Sequence, residues 1–174
     1  RVVQYQGGVT DGDLGRLYYL TCDDDCLQQG AWQRIAIAAP GVGINPDLEL
    51  TAGGMPRVAY GSRPTAGDLL GYAWCNSGCE DDPARWQRKT VETNAILEAT
   101  FKPAIPLSCD EQAWAEAIPA LSLDAAGNPH INYDALNVAM CYYDLGPGNG
   151  VGYRAEKIWR AARYVYFPQP DRKS

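Results

Sequence analysis

The chain has 174 residues, 46% of them hydrophobic and 21% charged, with a net charge of −6. That length makes one ordinary domain, or a few stacked units sharing a core. The acidic balance argues against nucleic acid as the main partner. Phosphate binding needs clustered Lys and Arg, and here the basic residues are scattered apart from Arg172 and Lys173. No apolar run approaches the roughly 20 residues of a membrane span, and no stretch of these residues reads as a signal peptide. Because the first residue is Arg rather than Met, the expectation is that upstream sequence was removed or never included.

In chain order, residues 1–5 (RVVQY) form a short alternating run. Residues 17–22 (LYYLTC) form a second, with apolar residues at every other position, the period of a strand with one face buried. Cys22 and Cys26 bound a loop, and residues 32–37 (WQRIAI) open the next run on Trp32. The phrase LELTAGGMPRVAY follows at residues 48–60, then LGYAWC at 70–75, a second C-x-x-x-C pair (Cys75 and Cys79), and WQRKTV at 86–91. Residues 121–133 (LSLDAAGNPHINY) restate the leucine phrase and its Gly turn. Residues 136–141 (LNVAMC) restate the pre-cysteine strand, and Trp159 opens the last run. A unit is therefore four short strands: leucine pair, Tyr-ending strand, pre-cysteine strand and Trp strand. Such a unit recurring every 40 to 50 or so residues is the signature of a propeller blade.

The interval from Cys75 to Cys141 is lengthened by an insert near residues 100–116. Within it, Ser108-Cys109-Asp110-Glu111 reads as a capping box that predicts a short helix over residues 110–117. Residues 153–163 (YRAEKIWRAAR) hold strong helix formers and a Glu156/Arg160 pair at i,i+4. The repeat register nevertheless predicts a strand from Trp159. Residues 145–152 (LGPGNGVG) read as a loop with an Asn-Gly turn, without the strand–loop–helix setting of a phosphate cradle.

The even count of six cysteines and the two local pairs suit disulfides, Cys22 with Cys26 and Cys75 with Cys79. Zinc would need further ligands, and His130 is the sole histidine. Cys109 and Cys141 are the remaining partners, the alternative being two free buried thiols. Disulfides imply an oxidising, extracytoplasmic compartment.

The expected architecture is all-β: about three propeller-type blades at residues 1–42, 43–96 and 117–166, the first lacking its leucine strand. An insert occupies residues 97–116 and a tail residues 167–174, all within one repeat domain. Three blades are too few to close a ring of four to eight, and an open array leaves unpaired faces and edges. The chain is therefore expected to be completed by other sequence, by another protein chain or by a copy of itself.

The phrase Leu121-Ser122-Leu123-Asp124, with Gly127-Asn128-Pro129-His130-Ile131-Asn132-Tyr133, resembles the repeat of secreted bacterial propellers grouped with the sialidase-like, Asp-box superfamily. It departs from the pattern Ser-x-Asp-x-Gly-x-x-Trp, because Gly127 comes one place late and no Trp follows. The resemblance covers nearly the whole chain as a repeat style and implies a fold; the class includes glycosidases, lectins and scaffolds, so it fixes no function. A sialidase-like enzyme would need an arginine cluster and a Tyr-Glu pair, for which Arg57, Arg63, Tyr60 and Glu49 lie close in sequence. Tyr60 also recurs as Tyr5 and Tyr133, which marks a structural position.

Among possible binding residues, Trp32, Trp86 and Trp159 recur and are expected in packing between blades. Trp74 and Trp114 do not recur, and with Arg63 they are the candidates for a ligand, a glycan or a protein contact. The acidic loops Asp23-Asp24-Asp25 and Glu80-Asp81-Asp82 offer hard oxygens to calcium but lack the spacing of a calcium loop, so no cofactor is expected. His130 reads as a polar residue on an edge strand. The function expected is a non-catalytic extracytoplasmic binding or assembly module; the alternative is a carbohydrate-active propeller, lectin or glycosidase.

Overall fold

Among the described residues, ten strands and one short α-helix follow one another: β1 (Val2–Gln6), β2 (Arg16–Thr21), β3 (Gln33–Ala36), β4 (Val42–Leu50), β5 (Pro56–Ser62), β6 (Asp68–Trp74), β7 (Gln87–Thr93), α1 (Asn94–Thr100), β8 (Cys109–Leu123), β9 (Pro129–Asp144) and β10 (Val151–Tyr166). The computed structural model describes residues 1–7, 15–38, 40–62, 68–101, 106 and 108–168. The strands form three open antiparallel sheets: I (β1-β2-β3), II (β4-β5-β6-β7) and III (β10-β9-β8). The fold is all-β, as expected. Sheet II has the strand order read from the repeat, and sheet I lacks the leucine strand.

The sheets are stacked with sheet II in the middle. In β2, Leu17, Tyr19 and Thr21 are buried. Leu17 and Tyr19 join Ile37, just after β3, and Val58 and Tyr60 of sheet II, with Trp86 just before β7, in one cluster. The other face of sheet II presents Ala59, Leu70 and Tyr72 to Trp114, Leu121, Ile131 and Tyr133 of sheet III. A strand covered on both faces cannot alternate, and β5 is buried along its entire length. Polar ties cross both seams: Arg88 Nε donates to the Ile37 carbonyl at 2.7 Å, and the Leu121 N–H donates to Asp47 Oδ2 at 2.7 Å. Glycine permits the close approach at each seam. A Cβ on Gly43, which has φ +103°, would strike Leu17, and one on Gly61 would strike the Ala117 carbonyl.

Two of the Gly turns share one pattern of bonding. Between β4 and β5 the Thr51 N–H donates to the Met55 carbonyl and Gly54 N–H to the Thr51 carbonyl; between β8 and β9, Asp124 with Asn128 and Gly127 with Asp124 do the same. Gly54 and Gly127 take φ of +75° and +82°, the left-handed residue that closes a three-residue hairpin loop.

Unit three departs from the expected four strands. The Tyr-ending and pre-cysteine strands are fused into β9, so sheet III has three long strands. Nine residues separate Tyr60 from Leu70, whereas between Tyr133 and Leu136 only Asp134 and Ala135 intervene, and Ala135 does not favour the positive φ that a type I′ hairpin needs at both central residues. The helix predicted over residues 110–117 is also absent. Those residues belong to β8, whose ladder with β9 begins at the bridged pair Cys109 and Cys141 and satisfies the backbone that a helix would have served. Local capping chemistry lost to that pairing, and β8 takes in much of the segment expected as an insert. The helix that does form, α1, is capped by Thr93, whose hydroxyl accepts from Ile96 N–H at 3.3 Å. The chain is strand from Trp159, as the repeat register predicts, and the residues before it, with their helix formers, are strand too, in a β10 that already starts at Val151. No helix among the described residues is long and apolar enough to cross a membrane.

Candidate functional site

All six cysteines are paired as expected. Cys22–Cys26 and Cys75–Cys79 pin the loops after β2 and β6, with Cα separations of 5.6 and 5.7 Å, and Cys109–Cys141 crosses from β8 to β9. Each local bridge is followed by a 3-10 turn and a tryptophan. Trp32 Nε1 donates to the Cys26 carbonyl, and Trp86 Nε1 to the Cys79 carbonyl, both at 3.0 Å. Trp86 is buried and meets Tyr19 of sheet I at 5.1 Å between ring centroids. Trp159 differs from the expected packing position. It is 41% exposed and touches Phe101 and Trp114 rather than a cysteine loop.

A cleft of about 1070 Å³ lies where the two equivalent turns, residues 51–55 and 124–128, face one another. Its floor is a single rung across sheet II. Glu49 pairs with Arg57, Arg57 with Trp74 and Trp74 with Gln87, so these four residues, one per strand, share one face. Trp74 stacks on Tyr72 at 5.5 Å and 25°, and Phe167 meets the Tyr72 ring edge-on at 5.2 Å. Arg57 is buried. Its Nη1 donates to the Pro56 and Cys75 carbonyls at 2.9 and 2.8 Å, and its Nη2 to Asn76 Oδ1 at 2.9 Å.

Of the carboxylates that reach the cleft, Asp124 is engaged by its own turn. Its Oδ1 accepts from the N–H groups of Ala126 and Asn128, and its Oδ2 from Asn128 Nδ2. The Asn128 bonds, above all that from its side-chain amide, hold Asp124 below the usual carboxylate range. That is the state of a turn-forming acceptor, opposite to the raised pKa a general acid needs.

The ligand candidates separate. Trp74 lines the cleft. Trp114 is fully buried in the seam between sheets II and III, among Leu97, Leu121 and Tyr133. Arg63 lies outside the described residues. The sialidase-style grouping does not assemble: Tyr60 is buried in the cluster between sheets I and II, while Arg57 and Glu49 share the face with Trp74. Burial pushes the Tyr60 phenol up to about 12.

Sequence reasoning missed a different cluster. Glu92 of β7, Tyr133 of β9 and Arg163 of β10 meet in the seam between sheets II and III. The Tyr133 hydroxyl donates to Glu92 Oε2, and Arg163 Nη2 donates to the same oxygen at 2.8 Å. Arg163 Nε donates to the Tyr133 oxygen at 3.1 Å. Burial, then the Glu92 carboxylate, pushes the Tyr133 phenol strongly upward. The trio is spread over some 70 residues of sequence, so no local motif signals it. It acts as a charged clamp between sheets.

His130 was expected on an edge strand, but β9 is the central strand of sheet III. Its Nδ1 lies 2.6 Å from the Tyr164 hydroxyl, and its ring lies 4.7 Å from that of Tyr166. Of the acidic loops, Asp23 pairs with Arg1 at 2.7 Å, and Asp82 caps a 3-10 turn through Ala84 N–H at 2.8 Å. No group of three His, Cys, Asp or Glu side chains converges as a metal site among the described residues.

Comparison of the chain with family models, with curated proteins and with solved structures gave no match.

Proposed function

We propose that the chain is a non-catalytic binding and assembly module of an oxidising, extracytoplasmic compartment, and that a further protein sheet covers its outer faces. Three disulfides fit such a compartment.

One observation carries the reading. In units one and two the residues five, three and one places before the first cysteine (Leu17, Tyr19 and Thr21, then Leu70, Tyr72 and Trp74) look toward the next sheet. The equivalent residues of unit three are Leu136, which is buried, Val138, which is half-buried, and Met140, which is 39% exposed. The outward face of β9 and its neighbours also carries Ile118, Tyr164 and Tyr166, all exposed, opposite Asp134, Asn132 and His130. Side chains of this kind on one sheet face mark a place where protein packs. A second copy can supply the cover by setting the outer face of its sheet I on this sheet III. Six stacked sheets fall within the four to eight that close a propeller, and a head-to-tail contact that closes is a stable oligomer.

Native mass spectrometry tests this. The expected species contains two chains, and Ile118→Glu on the outward face reduces it to one. A single chain at every accessible concentration, in the absence of any partner, defeats the proposal.

A further inference from the structure

We propose that the cleft between the two equivalent turns is a binding site for a short neutral oligosaccharide, seated on the rung Glu49–Arg57–Trp74–Gln87 of sheet II. This goes beyond assembly and stands independently of it.

The shape of the floor comes first. Adjacent strands lie about 4.8 Å apart, so a rung across four strands makes a track of about 14 Å. That suits an extended di- or trisaccharide better than a single ring. Trp74 sits within the track, one face braced by Tyr72, which Phe167 meets edge-on. A braced indole presents a flat apolar surface of the kind that the C–H face of a pyranose covers, at little entropic cost because the ring is already fixed.

The polar groups around Trp74 are those that sugar hydroxyls pair with. Glu49, on one side of the track, accepts. Gln87, on the other, both donates and accepts. The Asn76 amide, whose oxygen is held by Arg57, presents its NH₂ as donor. Ser122 adds a hydroxyl from the wall that sheet III supplies. An apolar plate with a few fixed hydrogen-bonding groups is the usual construction of a small-molecule site.

The same residues disfavour other occupants. An anion would meet Glu49 and Asp124, and Arg57, the only cation among the described lining residues, is already bonded to two backbone carbonyls and Asn76. A peptide adding to a sheet needs a strand edge; this floor is a sheet face, whose inner strands β5 and β6 are paired on both sides.

The test uses cellotriose, maltotriose, mannotriose and tri-N-acetylchitotriose as probes, followed by tryptophan emission and saturation-transfer NMR. The expected result is saturable binding of at least one probe. Trp74→Ala weakens it at least tenfold. Gln87→Ala and Glu49→Ala, at exposed positions that leave the fold intact, each weaken it several-fold, so the result does not hang on one variant. Binding should be the same in the Ile118→Glu single-chain form, which separates failure here from failure of the assembly reading. Absence of saturable binding by all four probes overturns the proposal. So does binding that survives unchanged in the Gln87 and Glu49 variants.

Discussion

Units two and three begin from nearly the same phrase and end as different objects. In unit two, β5 and β6 are separate antiparallel strands, a local bridge closes the loop after β6, and Trp86 is held by the Cys79 carbonyl. In unit three the second cysteine of the pair is gone, with Leu145 near its place. Cys141 instead bridges to Cys109 on the neighbouring strand, β9 runs through without a turn, and Trp159 has moved to the surface. The contrast lies in one short module of bridge, 3-10 turn and tryptophan. Where the module is intact, as in units one and two, the strands stay short; where it has lost a cysteine, the sheet lengthens and is stapled across its strands.

The sharpest way to break this comparison is through the bridges. Cys109–Cys141 closes a loop with a separation of 32 residues, against 4 for Cys22–Cys26. Chain entropy then gives a loss of about 4 kcal/mol for the Cys109→Ser, Cys141→Ser double variant and about 2 kcal/mol for Cys22→Ser, Cys26→Ser. Urea unfolding of the two should differ in that order; an equal loss would mean the cross-strand staple adds no more than a local loop.

Next in size is the tryptophan pair. Trp86→Ala removes a buried ring and a hydrogen bond and should cost about 3 kcal/mol, whereas Trp159→Ala at its exposed position should cost about 1 kcal/mol. Thermal unfolding distinguishes them, and comparable costs would restore Trp159 to the packing role its repeat position suggests.

The smallest effect compares the equivalent tyrosines by pH. The Tyr60 phenol is raised from 10.0 to about 12, so its contribution is complete below pH 10 and is lost as pH rises through 12. Two units correspond to at most about 2.7 kcal/mol. Tyr60→Phe should flatten the alkaline fall in stability. Tyr133→Phe should also lower stability at neutral pH, because it takes a donor from Glu92. If the alkaline profile of Tyr60→Phe matches the parent, burial of that phenol is not what sets the fall.

Local chemistry is what the sequence conveyed well. Alternation in residues 17–22, the Gly turns at Gly54 and Gly127 and the spacing of the cysteine pairs each act within a few residues, and each appears in the structure. The four-strand order of sheet II followed from them. What was not legible depended on distant partners. The capping residues at 108–111 describe a helix start correctly in isolation, yet the bridge from Cys109 to Cys141 draws the segment into β8. Trp74 stands out because it breaks the repeat, and Glu49 and Arg57 lie close to one another in sequence, but that the three share one rung with Gln87 follows only from strand register. The Glu92–Tyr133–Arg163 clamp is of the same kind. Trp114 shows the converse: an unrepeated aromatic can equally be a core residue of the segment that carries it.

Burial of sheet II on both faces has a consequence for the order of biosynthesis. When residues 42–93 have left the ribosome, sheet I is already available to cover Val58 and Tyr60, while Leu70 and Tyr72 stay bare until β8 and β9 emerge. Cys22–Cys26 and Cys75–Cys79 can each oxidise once their own loop meets an oxidant, but Cys109 must wait for Cys141. The nascent chain therefore passes through a stage that is cross-linked yet sticky, and a chaperone acting on it would have most to gain before residue 141 is made.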